Sequence, residues 1–237
     1  MSSGNVYERL FKLWGSIVKL ILDGKRDPEW VADVLQGIVE IKTIPLILTR
    51  AVWQQVYDLL GYGFDESRWV EPAPGFWDTY VQKGVTPNRV AAAMRKLGVT
   101  METLGVDLDA STAGRDQRDP VNGSYHIRFR ATVEADEDNQ NLSAEDLRRR
   151  GRPEITLTER LLLGLAHFIA TEEGGQPDDH ERHLDRDNIT LCAGSRHFVG
   201  RVPKVYWDRH GRQVYVVWYY SYDHDSDLRS RSAVSNP

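Results

Sequence analysis

Between positions 202 and 220 the chain reads VPKVYWDRHGRQVYVVWYY. Two runs with alternating character flank a polar stretch, and side chains alternate between faces along a strand, so this segment is restricted to an antiparallel hairpin. A four-residue turn at 209–212 pairs Trp207 with Val214 and Tyr206 with Tyr215, with Gly211 available for positive φ. In that register Val205, Trp207, Val214, Val216 and Trp218 share one face, while Tyr206, Asp208, Tyr215, Val217 and Tyr219 share the other. Aliphatic residues and tryptophans collect on one side and tyrosines on the other. The hairpin therefore predicts a core face and a presented face.

The loop after it holds Tyr220, Tyr222, Asp223, His224 and Asp225, and 228–234 reads as a closing strand with Arg229 and Arg231 on one side. Five of the ten tyrosines of the chain lie in this region. Tyrosine with Asp, His, Ser and Arg gives rigid aromatic area and adaptable hydrogen bonding, the composition of antibody-like binding surfaces. The competing reading packs the same tyrosines against the helices of the N-terminal half.

The rest of the chain sets the frame. Its 237 residues are long enough for one large or two small domains. A net charge of −5 argues against a dedicated nucleic-acid binder. A single cysteine, Cys192, excludes an internal disulfide framework and suits a reducing compartment. Charges at Glu8, Lys12 and Lys19 interrupt the apolar N-terminal run, so neither membrane insertion nor a signal peptide is expected. These features suggest a cytoplasmic protein, with export by another route left open.

Helical spacing is predicted over 6–22 and, after an Asp27-Pro28 start, over Trp30, Val31, Val34, Leu35, Ile38 and Val39, giving a helical hairpin. A short extended piece is expected at 44–48. Thr49 opens a further helix, and Thr86-Pro87 caps another over 88–97. A helix over 101–108 would complete the outline of a helix-turn-helix. Glu102, Asp107 and Asp109 would then face phosphates, which favours a packed helical corner over DNA binding. The polar stretch 111–123 reads as a linker. Beyond it come a strand over 124–133, a short helix over 144–150 capped by Ser143, and a helix announced by the capping box Thr156-Leu157-Thr158-Glu159. His167 on that helix reads as structural. The charged segment 176–187 carries His180 and His183 among carboxylates without a fixed ligand spacing, so it reads as a solvated loop rather than a metal site.

The order strand, capped helix, short strands and arginine-bearing last strand resembles the C-type-lectin-like fold. The segments ITLCAGSR (189–196), VPKVYW (202–207), VYVVW (214–218) and LRSRSAVS (228–235) are similar to variable proteins of diversity-generating retroelements of the kind found in small-genome candidate-phylum bacteria. The resemblance covers the half of the chain from Tyr125 onward. It implies a C-type-lectin-like α+β domain with short antiparallel strands at 124–237, which with the helical region read at 1–110 and the linker at 111–123 makes the chain α+β. It also implies a ligand-binding face diversified at codons that yield Tyr, His, Asp, Ser, Arg, Gly or Val but never Trp, Gln, Glu, Lys or Met. The matching positions are Tyr206, Asp208, Arg209, His210, Tyr215, Val217, Tyr219, Tyr220, Tyr222, Asp223, His224 and Asp225. Many relatives end in a Gly-Phe-Arg strand where this chain has Leu228-Arg229-Ser230-Arg231, which leaves the alignment of the last strand open.

The expectation is a module that binds a protein or surface ligand, without cofactor, metal or catalysis. Two other readings stand beside it: an adaptor acting through the N-terminal helices, and a hydrolase using histidines and carboxylates. No G-x-S-x-G, P-loop, H-E-x-x-H or dinucleotide pattern supports the latter. Cys192 with His197 is a conceivable nucleophile and base, against the usual fate of a lone apolar-strand cysteine as core.

Overall fold

The computed structural model describes residues 4–29, 31, 47–173 and 179–234. The chain divides into two compact units, Met1–Ile44 and Pro45–Pro237. In the first, α1 (Gly4–Leu22) follows the predicted apolar spacing. The Asp27 carboxylate accepts from the Glu29 N–H at 2.9 Å, as expected of a cap. The apolar face predicted at Trp30, Val34, Leu35, Ile38 and Val39 lies outside the described residues, as does 44–46.

The second unit is α+β. Its helices are α2 (Arg50–Leu60), α3 (Pro87–Lys96), α4 (Leu108–Thr112), α5 (Ala144–Arg150) and α6 (Leu157–Glu173). Its strands are β1 (Phe76–Val81), β2 (Met101–Glu102), β3 (Tyr125–Arg130), β4 (Ile189–Leu191), β5 (Val202–Asp208), β6 (Gln213–Tyr219) and β7 (Leu228–Arg229). β1 and β3 form an antiparallel pair, and the other five make a sheet ordered β2-β6-β5-β4-β7. Within it β6-β5 and β5-β4 are antiparallel, while the outer pairs β2-β6 and β4-β7 are parallel.

Local chemistry sets the helix starts. Thr49 and Thr86 accept from backbone N–H groups three residues on, at 3.3 and 3.4 Å. At α6 the Thr156 hydroxyl accepts from the Glu159 N–H at 3.3 Å and the Glu159 carboxylate accepts from the Thr156 N–H at 2.8 Å, the reciprocal box the sequence announces. Leu161, Leu162, Leu163 and Leu165 are all fully buried, so α6 is a central helix enclosed on every side rather than one with a single apolar stripe. α2, α3, β1 and β5 pack around it.

Three expectations change. The helix predicted over 101–108 is the strand β2 followed by a turn with left-handed Leu104 and Gly105. Met101 and Glu102 instead extend the sheet edge beside Val214 and Tyr215. The stretch 111–123 is no linker: Arg118 in it makes a two-bond contact with Glu159 at 2.7 and 2.8 Å, and β1 pairs with β3 across it, Trp77 opposite Phe129. The division between units therefore falls at Ile44/Pro45, and the helices from α2 onward share a core with the C-terminal sheet.

The third change concerns 176–187 and Arg231. From 179 onward this segment is built into the fold. Glu134 accepts from the N–H groups of Arg186, Asp187 and Asn188, and Asp185 is fully buried between Arg160 and Arg231, each at 2.7 Å. Arg231 also donates to the carbonyls of Thr132 and Val133 at 2.8 and 2.7 Å. It lies within the core and contributes nothing to the surface where the sequence placed it.

Candidate binding face

β5 and β6 adopt the register that alternation predicts, with Trp207 opposite Val214 and Tyr206 opposite Tyr215. Val205, Trp207, Val214 and Val216 are buried, and Trp218 is packed against the same core. The Asp208 carboxylate closes the 209–212 turn by accepting from the N–H groups of His210 and Gly211 at 3.0 and 3.1 Å. The left-handed position is Arg212, with φ 50°, instead of the expected Gly211. A Cβ at 211 would press on the Asp208 carboxylate and the Gln213 amide, the movable ends of two side chains.

The opposite face of the sheet is covered over only half its width. Ala144 and Leu147 of α5 bury Leu191, Val202 and Leu228 there. Beyond that patch lie Lys204, Tyr206, Tyr215, Val217 and Tyr219. The Tyr206 and Tyr215 rings stack with centroids 5.3 Å apart and an interplanar angle of 12°, and both are half-buried. Val217 sits opposite Lys204. Tyr219 donates to Asp225 at 3.2 Å, and its ring lies under the Lys204 ammonium, Nζ standing 3.7 Å from the centroid. Burial raises the hydroxyl pKa of Tyr206 and of Tyr219, with nearby Asp225 reinforcing it at Tyr219.

The loop after β6 carries a second aromatic pair. Tyr220 and Tyr222 are exposed and stacked at 5.4 Å. Arg201 lies over the Tyr220 ring at 4.6 Å and donates to its hydroxyl at 2.9 Å. Asp223 accepts from the Tyr220 N–H at 3.1 Å, and His224 meets Asp146 of α5 at 2.7 Å. Arg209 and His210 are exposed at the turn, next to a cavity of about 320 Å³ lined by Asp179, His180, Trp207, Arg209 and Arg212. Of the predicted positions, Tyr206, Tyr215, Val217 and Tyr219 share one sheet face, Tyr220 and Tyr222 stack in the loop after β6, and Asp208, Arg209 and His210 lie at the turn between the strands. Sequence reasoning passed over Lys204 and Arg201, although Lys204 shares the alternation parity of Tyr206.

Other titratable groups have structural surroundings. Cys192 is fully buried and burial pushes its thiol pKa up, the reverse of what a nucleophile needs. Ser195 is buried and accepts from the Leu157 N–H at 2.8 Å, serving the start of α6. His167 is buried, bonds the Arg182 carbonyl at 3.1 Å and is lowered by burial to about 4. His183 stacks on Trp207 at 3.7 Å and is lowered by burial to about 3. His126 meets Asp78 at 2.6 Å, and Asp78 also takes Arg128 at 2.7 Å, beside a cavity of about 220 Å³.

Among the described residues no group of three or more His, Cys, Asp or Glu side chains is arranged to hold a metal ion. No described helix is long and apolar enough to cross a membrane. No protein-family model matches the chain, and no curated protein or solved structure matches it either.

Proposed function

We propose that this chain is a binding module whose ligand, a protein or a surface-borne group, meets the tyrosine strip of β5, β6 and the loop 220–227, and that it performs no chemistry of its own. The observation that carries this reading is the division of one hairpin into two interleaved sets. Val205, Trp207, Val214 and Val216 are sealed in the core, while Tyr206, Tyr215, Val217 and Tyr219 keep part of their surface open on a sheet face that α5 leaves half uncovered. Stacked tyrosine pairs supply large contact area at low entropic cost, because the rings are already held.

The similarity to diversity-generating variable proteins adds a specific form: a fixed scaffold with a face that changes between copies. The scaffold positions Trp207, Gln213 and Trp218 are residue types that such codon randomisation does not produce. A displayed library randomised at Tyr206, Asp208, Arg209, His210, Tyr215, Val217, Tyr219, Tyr220 and 222–225, sorted for protease resistance, is expected to stay largely folded. The same randomisation of Val205, Trp207, Val214 and Val216 is expected to destroy folding. Equal losses in the two libraries would refute the division. The diversified form further requires a near-copy of the DNA encoding 200–235, differing at adenines and lying near a reverse transcriptase gene.

A further inference from the structure

We infer that a second site, apart from the tyrosine strip, takes a small aliphatic amine in its ammonium form. It is a cavity of about 300 Å³ between the start of α3, the segment 109–121 and the start of α6, and no residue of β5, β6 or the loop 220–227 lines it. That volume lies at the lower end of small-molecule sites. The walls are largely apolar: Val85 and Pro87 are buried at the entry to α3, and Val121, 64% exposed, stands on the open side. The charged residues of the lining are all acidic. Asp109, Asp116 and Asp119 belong to it, and no lysine, arginine or histidine does.

The groups that could answer these carboxylates are engaged elsewhere. Arg118, which acts on Asp116, donates to both oxygens of Glu159 and to the Glu154 carbonyl, so its charge is offset. Arg115 turns back onto the carbonyls of Ala110 and Ser111. The two helix starts at the cavity are also served. At α3 the Asn88 and Arg89 N–H groups donate to Asp109 and Thr86, and at α6 the Glu159 N–H donates to Thr156, so neither end calls for an anion. Asp116 is the least served of the three carboxylates. Its Oδ1 is shut off from solvent and has no hydrogen-bond partner among the described residues. Burial, reinforced by Glu159 and Asp119 and opposed by the Ser195 hydroxyl, raises its carboxyl to about 7. A cation held in the cavity would relieve both the desolvation and the repulsion. Asp109 and Asp119 each have Oδ1 already bonded, to the Asn88 and Val121 N–H groups at 2.8 and 2.9 Å. Single remaining oxygens suit an ammonium, which spreads three donors, better than a guanidinium fork, which takes both oxygens of one carboxylate. The apolar walls then favour an aliphatic chain over a hydrated metal ion.

The test titrates the full chain with pentylamine and with pentanol, its neutral counterpart of equal length, read by NMR at about pH 8, where Asp116 is ionised and the amine is protonated. Pentylamine is expected to bind about tenfold tighter or better, with Asp116→Asn abolishing the preference. In the unmutated protein the Asp116 carboxyl carbon should titrate at lower pH when pentylamine is present, a readout independent of whether the variant folds. The proposal is overturned if amine and alcohol bind alike, if neither binds, if Asp116→Asn keeps the preference, if the Asp116 titration stays where it is, or if sodium chloride at equal concentration displaces pentylamine. Tighter binding of a lysine blocked at both backbone ends would overturn it too, because the site would then read a lysine within a chain. None of these outcomes bears on the tyrosine strip.

Discussion

The carboxylate of Asp185 accepts from Arg160 and Arg231 at 2.7 Å and from the Thr190 hydroxyl at 2.5 Å, with all three charged residues buried. Removing one partner from such a cluster leaves an uncompensated buried charge. Asp185→Ala should therefore lower stability by about 3–5 kcal/mol in urea titrations, and a loss below about 1 kcal/mol would contradict this role. Buried His167 and half-buried Asp116 give opposite pH dependences. His167 is lowered to about 4 from 6.5, so its contribution is full above 6.5 and is lost, by about 3 kcal/mol in all, as pH falls toward 4. Burial raises Asp116 to about 7 from 3.8, so its contribution is full below 3.8 and is lost as pH rises toward 7. Between pH 4 and 6.5, His167→Gln should remove a rise of stability with pH and Asp116→Asn should steepen it. Unchanged slopes in both variants would show that neither environment persists in solution.

The turn between β4 and β5 shows how tightly neighbouring segments are fitted. A Cβ on Gly194 would collide with the backbone carbonyls of Glu154 and Ile155, neither of which can move without disturbing the entry to α6. Gly194→Ala should cost about 3 kcal/mol in chemical denaturation, whereas a loss within 0.5 kcal/mol, roughly the range of a surface change, would mean the close approach is absent. The parts of the fold legible in the sequence are those fixed by local chemistry. The α6 capping box needs only Thr156 and Glu159, and the β5–β6 register follows from alternation across a short turn. What was hidden depends on partners distant in sequence. Met101-Glu102 is a strand because β6 offers it an edge, and Asp185 is core because Arg160 and Arg231 converge on it. On the candidate face the tyrosines were readable from parity. Lys204 has the same parity, but its seat over the Tyr219 ring shows only in the folded hairpin.

Across Pro45–Pro237 the two sheets and α6 form one core, in which β1 supplies the partner of β3 and α2 and α3 cover α6. A fragment spanning 45–237 should unfold cooperatively by calorimetry, and one spanning 124–237 should not, because it lacks that partner and that cover. Cooperative folding of 124–237 would restore the boundary expected at 111–123. The function proposed for this unit requires that its tyrosine strip be separable from its core. The measurement that bears on this most directly is the urea unfolding of Tyr206→Ser/Tyr215→Ser beside Trp207→Ser. Loss of a half-buried stacked pair should cost under about 2 kcal/mol, and loss of the buried indole about 3–5 kcal/mol. A double tyrosine variant that unfolds, or is destabilised as much as Trp207→Ser, would contradict the account.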